Sequence, residues 1–284
     1  MTTTMSTIDL PTATIEYASH GPADSPHPPV VFVHGVLVDH RLWQPAAELL
    51  ADAGYRSIVP TLPLGAHHLP WGPTADRSPR GAARLLHEFI DALDLSGATL
   101  VANDTGGAIT QFALDDDPDI ARAVVFTNCD AFDLFPPQPF RLLFALLRQR
   151  PLLKPLAESM RWRALRHSPL GVGLLMNQPD PEFTRSVFEP VQTDARIRDD
   201  LIAFLKAIDP AELAEVTARM SRVRLPVTMA WGVDDRCFTP EHGRRFAAVF
   251  PDARFVEVPN ARTFMSLDQP QAVADAVVAT SARV

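Results

Sequence analysis

Cysteine is scarce in this chain: Cys129 and Cys237 are the only two among 284 residues. Two cysteines far apart make neither a disulfide framework nor a zinc-type ligand set, so no metal is expected. Basic charge is also short, with a formal net charge of −8. A general nucleic-acid binder needs a basic face for phosphates, and that function is set aside. No apolar run approaches the roughly 18 residues of a membrane span, so no membrane partner is expected. No basic residue precedes Arg41 and no apolar core follows the N-terminus. A secretory signal is therefore not expected, and the protein reads as cytoplasmic. Glycine-rich dinucleotide or phosphate loops are missing too, and no cofactor is implied. Internal repeats and low-complexity tails are likewise lacking.

What is present is an alternating β/α rhythm with one interruption. Val30–Val33, Arg56–Val59, Leu100–Ala102, Ala123–Thr127, Val227–Trp231 and Arg254–Val258 read as short strands, preceded by two candidate edge strands, Ile8–Leu10 and Thr14–Tyr17. Amphipathic helices are predicted over 41–53, 79–93, 105–115, 240–250 and 269–281. From about Asp130 to Arg222 no strand is predicted, only proline-interrupted helical segments. Alternation of this kind implies a mostly parallel sheet with helices on both faces, here with a helical insertion.

One stretch concentrates chemistry. Ala98-Thr-Leu-Val-Ala-Asn-Asp104-Thr-Gly-Gly107 reads as a buried strand that turns sharply into a helix with Asp104 at the tip. Ala102, Gly106 and Gly107 are small at the offsets where a nucleophile elbow needs strand and helix to pack closely. An aspartate N-cap followed by glycines is the competing structural explanation.

Three further landmarks follow the order that an elbow requires. His34-Gly35 ends an early strand, Trp231-Gly-Val-Asp-Asp235 ends a late one, and Pro259-Asn-Ala-Arg-Thr-Phe264 precedes Asp268-Gln-Pro270. Together these motifs resemble the α/β-hydrolase fold, within it the cap-bearing haloalkane dehalogenase and epoxide hydrolase branch. The resemblance spans about Val30 to Ser281. It implies a hydrolase core over 1–129 and 223–284, with a helical cap over 130–222. It places Asp104 as nucleophile, suited to attack on an sp3 carbon with formation of an alkyl ester. The N–H groups of Val36 and Thr105 fall at the oxyanion-hole positions, and Asp235 or Asp130 at the positions of the acid that orients the base.

The base itself is missing from the expected place. Where the family has Gly-His-Phe, this chain has Arg262-Thr263-Phe264 without a gap, because Pro270 keeps its spacing. Neither threonine nor arginine is a general base near neutral pH. His67 or His68, in the irregular loop after a parallel strand, are the candidate replacements, since active sites form at that end of an α/β sheet. Arg262 and Arg236 adjoin the acids, and one of them is expected to pair with an acid in the vacated histidine space. Only Tyr17 and Tyr55 are present, so the cap tyrosines that polarise epoxides are lacking. Thr105 stands where dehalogenases carry a halide-binding tryptophan, and Trp162 in the cap is a weaker halide candidate. The expected function is hydrolysis of a small apolar haloalkane- or epoxide-type substrate with an atypical or missing base. The alternatives are a non-hydrolytic lyase, isomerase or cyclase using Asp104 as acid or base, and a ligand-binding protein without turnover.

Overall fold

The computed structural model describes residues 3–284. Eight strands form one sheet: β1 (Thr4–Asp9), β2 (Thr14–His20), β3 (Val30–Val33), β4 (Ser57–Pro60), β5 (Ala98–Asp104), β6 (Ala121–Cys129), β7 (Val227–Gly232) and β8 (Ala253–Val258). Their order across the sheet is β1-β2-β4-β3-β5-β6-β7-β8. The first two strands run antiparallel to their neighbours, and β4 onward is parallel. The sheet is thus mostly parallel, as the β/α alternation requires. The two edge strands start earlier or run longer than their apolar residues indicate, because backbone pairing continues through Thr4–Thr7 and Ala18–His20.

Central strands are apolar throughout because both sheet faces are covered. On β3, Val31 and Val33 join one buried cluster with α2 (Pro79–Ala92), α3 (Thr105–Asp116) and α11 (Pro240–Ala247). Val30 and Phe32 point the other way, toward α1 (Gln44–Asp52) and α13 (Pro270–Ser281). This is the two-residue period of a strand read out on two faces.

Between β6 and β7 the chain is helical. The segment comprises α4 (Phe140–Leu147), α5 (Arg150–Ser159), α6 (Arg163–Arg166), α7 (Pro181–Ser186), α8 (Glu189–Thr193), α9 (Ala195–Lys206) and α10 (Pro210–Arg219). Phe144, Leu147, Leu153, Val191 and Leu201 from this segment extend the first apolar cluster upward from the sheet. Its last helix belongs beside the sheet, since Leu213 and Val216 are fully buried and the Thr217 hydroxyl donates to Gln111 Oε1 of α3 at 2.7 Å. A short helix, α12 (Met265–Asp268), precedes α13.

The β5–α3 junction depends on missing side chains. Asp104 sits at φ +53° and ψ −131°, a region that costs energy for a residue with a Cβ. A Cβ at Gly106 would lie 2.3 Å from the Val33 carbonyl oxygen, and one at Gly107 would lie 2.4 Å from Cys129 Cβ. Both neighbours are held in the sheet, so neither moves cheaply. Gly106→Ala is therefore expected to destabilise the protein by about 1–3 kcal/mol, as overpacking of a tight core does. Urea unfolding measures this; an unchanged midpoint would show that the junction has slack.

Candidate active site

The elbow turns Asp104 toward an open-mouthed cavity between the sheet and the helical insertion. Val36 and Thr105 line it beside Asp104, and Phe140, Leu143, Phe144, Leu147, Leu153, Leu156, Met160, Leu175, Phe188, Val191 and Phe264 form most of the wall. Asp104 is the one ionisable side chain in that wall. Gly35 lets the carboxyl close against the backbone, since a Cβ there would stand 2.1 Å from Asp104 Oδ2. The preceding His34 is structural. Its ring is fully buried, Nδ1 lies 2.7 Å from the Gly35 carbonyl, and Nε2 accepts from the Leu62 N–H at 2.8 Å. Burial lowers its pKa to about 4, so it is neutral and Nδ1 carries the proton.

Three carboxyl groups converge. Burial, opposed by the Thr105 N–H and reinforced by the charge of Asp235, raises the Asp104 pKa to about 7. Asp130 is fully buried at the end of β6, its N–H on the Asp104 carbonyl at 3.3 Å. Burial and the neighbouring Asp104 push its pKa well above the carboxylate range, and neither carboxyl oxygen has a well-aligned hydrogen-bond partner. The Thr105 hydroxyl is the one group that pulls in the other direction. Asp235 is better satisfied. Its Oδ1 accepts from the N–H groups of Cys237 at 2.7 Å and Phe238 at 3.1 Å, and its Oδ2 from the Thr263 hydroxyl at 2.8 Å. Burial still raises its pKa to about 6.

Thr263 thus fills the place expected of a base and uses its hydroxyl on the acid. It is fully buried and does not line the cavity. No arginine enters that space. Arg262 reaches away to donate to the carbonyls of Gly173 at 2.7 Å and Met176 at 3.4 Å, while Arg236 is exposed and has no acidic partner among the described residues. The expected arginine–acid pair is absent because cap carbonyls capture Arg262 and solvent claims Arg236.

His67 is not brought to the site either. Its Nδ1 accepts from the Gly65 N–H at 3.1 Å, and its Nε2 lies 3.3 Å from Asp200 Oδ2 on α9. Burial lowers its pKa, and both nitrogens are committed to joining loop and insertion. His68 is exposed on the same loop. His40 and His167 are occupied by Thr61 and Thr184 at 2.8 and 2.9 Å. Trp162 is 73% exposed and is not in the cavity wall, which removes it as a halide contact.

Sequence reasoning passed over two asparagines that brace the site. Asn103 Nδ2 donates to the Thr263 carbonyl at 2.6 Å, to Thr127 Oγ1 at 2.8 Å and to the Asn128 carbonyl at 3.0 Å. Asn128 spans the ends of β6 and β7, accepting from Gly232 N at 2.7 Å and donating to the Gly232 carbonyl at 3.0 Å. A lone amide closing an otherwise apolar strand was the available signal.

A family model described as the alpha/beta hydrolase family matches residues 30–276. Haloalkane dehalogenase 2 of Mycobacterium bovis is 27% identical over 268 residues, covering 88% of this chain and 87% of that protein. A cis-3-alkyl-4-alkyloxetan-2-one decarboxylase of Xanthomonas campestris pv. campestris is 27% identical over 284 residues, covering 94% and 92%. Among solved structures, haloalkane dehalogenase DbeA from Bradyrhizobium elkani superposes with a TM-score of 0.78 over 100% of both chains at 20% identity, a likeness of fold.

The buried acids set a pH dependence. A carboxyl with a raised folded pKa holds its proton more tightly folded than unfolded. Its stability contribution therefore falls as pH rises above about 4, the unfolded value. Asp130→Asn removes one such group. Its Tm relative to the unsubstituted protein is expected to rise steadily from pH 4 to pH 8 in thermal unfolding. Parallel curves would mean that Asp130 is ionised and compensated in the fold.

Proposed function

The chain belongs to the alpha/beta hydrolase family, and on that premise we propose that Asp104 attacks an sp3 carbon of a small apolar molecule and forms an alkyl ester. The observation that carries this reading is the single carboxyl in an otherwise apolar cavity wall. Attack requires the ionised carboxylate, which the Thr105 N–H favours. The bond broken is carbon–halogen or carbon–oxygen, in keeping with the dehalogenase relatives.

Release of the ester is the step in which this site differs. Water attacking an aspartyl ester needs a proton acceptor, worth typically about 10²–10⁴-fold. Thr263 and its neighbours supply none, and Asp235 already accepts the Thr263 proton. Haloalkanes and epoxides would therefore leave a long-lived ester.

That same gap favours a second, non-hydrolytic reading in which the substrate releases the enzyme. The decarboxylase relative is named for an oxetan-2-one. If Asp104 attacks the sp3 ring carbon bonded to the ring oxygen, that carbon–oxygen bond breaks and frees a carboxylate on the adjacent carbon. Loss of CO2 then sends the electron pair of that carbon–carbon bond into an alkene, and the alkyl–Asp104 bond breaks. The Asp104 carboxylate is regenerated without water or base.

Intact-mass spectrometry after incubation with haloalkanes and epoxides tests the first step. The expected result is one alkyl adduct, abolished by Asp104→Asn. Because the Asp104 pKa lies at about 7, the adduct rate rises by up to about tenfold per pH unit below neutrality and levels off above it. With a cis-3,4-dialkyloxetan-2-one, alkene and CO2 are expected with no lasting adduct. Neither adduct nor turnover across the panel would leave a ligand-binding protein. Thr263→His, placed to donate to Asp235, is expected to shorten the adduct's lifetime by roughly 10²-fold or more. An unchanged lifetime in a folded variant would mean that the surrounding pocket excludes a working base.

A further inference from the structure

The insertion has an uneven surface. Between Pro139 and Ser168 seven basic side chains, of which Arg166 alone is buried, stand against one acid, Glu158, in a chain whose formal net charge is −8. Within the same stretch or just past it, large apolar side chains face water: Leu142 is 70% exposed, Trp162 73% and Leu170 74%. Soluble proteins expose single apolar residues freely, but three large ones in or next to one cation-rich stretch point to a contact surface.

The cations are largely unneutralised. Arg150 pairs with Asp199 and Arg161 with Glu158, whereas exposed Lys154 and Arg163 have no acidic partner among the described residues. Arg161 and Arg163 adjoin Trp162 in the chain, and all three are exposed. In that arrangement the ring enters the apolar boundary of a bilayer while the charged heads reach headgroup phosphates. Leu170 is both exposed and part of the cavity wall, so this part of the insertion reaches from solvent to the cavity.

We infer that this face of the insertion rests on an anionic lipid surface, from which apolar substrate passes into the cavity. No helix among the described residues is long and apolar enough to cross a membrane, and the contact proposed here lies on the surface. The expectation of no membrane partner rests on spans alone and does not bear on it. The inference is independent of the chemistry assigned to Asp104, and its test needs no turnover.

The test is co-sedimentation of the full chain with vesicles of phosphatidylcholine alone or mixed with phosphatidylglycerol. Binding is expected only to the anionic vesicles and is expected to fall as salt is raised. Trp43, Trp71 and Trp231 are buried, so a blue shift of tryptophan emission on binding reports Trp162. Trp162→Ser combined with Arg163→Glu, both at exposed positions outside the cavity wall, is expected to lower binding by about tenfold or more. Lys154→Glu, on a different helix, provides an independent reduction. Equal binding to both vesicle types, or binding unmoved by salt and by these substitutions, would overturn the inference. So would binding to poly-glutamate with none to anionic vesicles, which would point to an acidic protein instead.

Discussion

A carboxyl held at positive φ and turned toward an apolar cavity can exist only where the backbone around it closes tightly. Gly35 lets the chain after β3 close on the Asp104 carboxyl, and Gly106 lets the start of α3 close on the Val33 carbonyl, within distances that a Cβ would forbid. Asn103 then ties the residue before the tip to Thr263, so the elbow and the final loop are held as one unit. The order of strands follows from this junction. The elbow strand β5 must lie between β3, which leads into Gly35, and β6, which leads into Asp130. The geometry of the site is thus the geometry of three adjacent strand ends.

Burial without a cation is the electrostatic counterpart of that packing. Asp104, Asp130 and Asp235 all have raised pKa values, and desolvation is the largest cause for each. Asp235 retains three hydrogen-bond donors and shifts least of the groups with assigned values. Asp130 retains no well-aligned donor. A histidinium among these groups would relieve the repulsion, and Thr263 supplies only a neutral hydroxyl. Near neutral pH Asp130 therefore keeps its proton, Asp104 shares its own with solvent, and Asp235 is the most readily ionised of the three.

Much of the framework is visible in the amino-acid order because it depends on local requirements. Small residues flanking Asp104 announce a tight turn, and uninterrupted apolar runs announce strands covered on both faces. The substitution of Thr263 is equally legible, since Pro270 fixes its register. The hydrogen bonds that decide roles are not. His67 has the right loop and the right residue type, yet Asp200, 133 positions away, captures its ring. Arg262 sits beside the acids in sequence but finds cap carbonyls at closer reach. Trp162 suggests a halide contact from the cap, whereas it stands in solvent just before the four-residue helix α6. In each case the deciding neighbour comes from another segment, and spacing along the chain holds no record of it.

The apolar wall of the cavity has opposite consequences for the two halves of the proposed covalent reaction. Removing water strengthens the interactions between Asp104, the Thr105 N–H and a polarised substrate, and it prevents a premature side reaction. It also withholds the water that would hydrolyse the product ester. In a site with an imidazole these demands are reconciled by one activated water. Here Thr263 keeps Asp235 hydrogen-bonded but gives it no proton to relay. Under the proposed chemistry, a substrate that expels the carboxylate itself would turn the missing base from a defect into a filter. Substrates able to collapse on their own would leave, and those that need water would remain attached. A fold built for hydrolysis can host such a reaction without rearrangement, because the change concerns one side chain at the end of a loop that otherwise keeps its place.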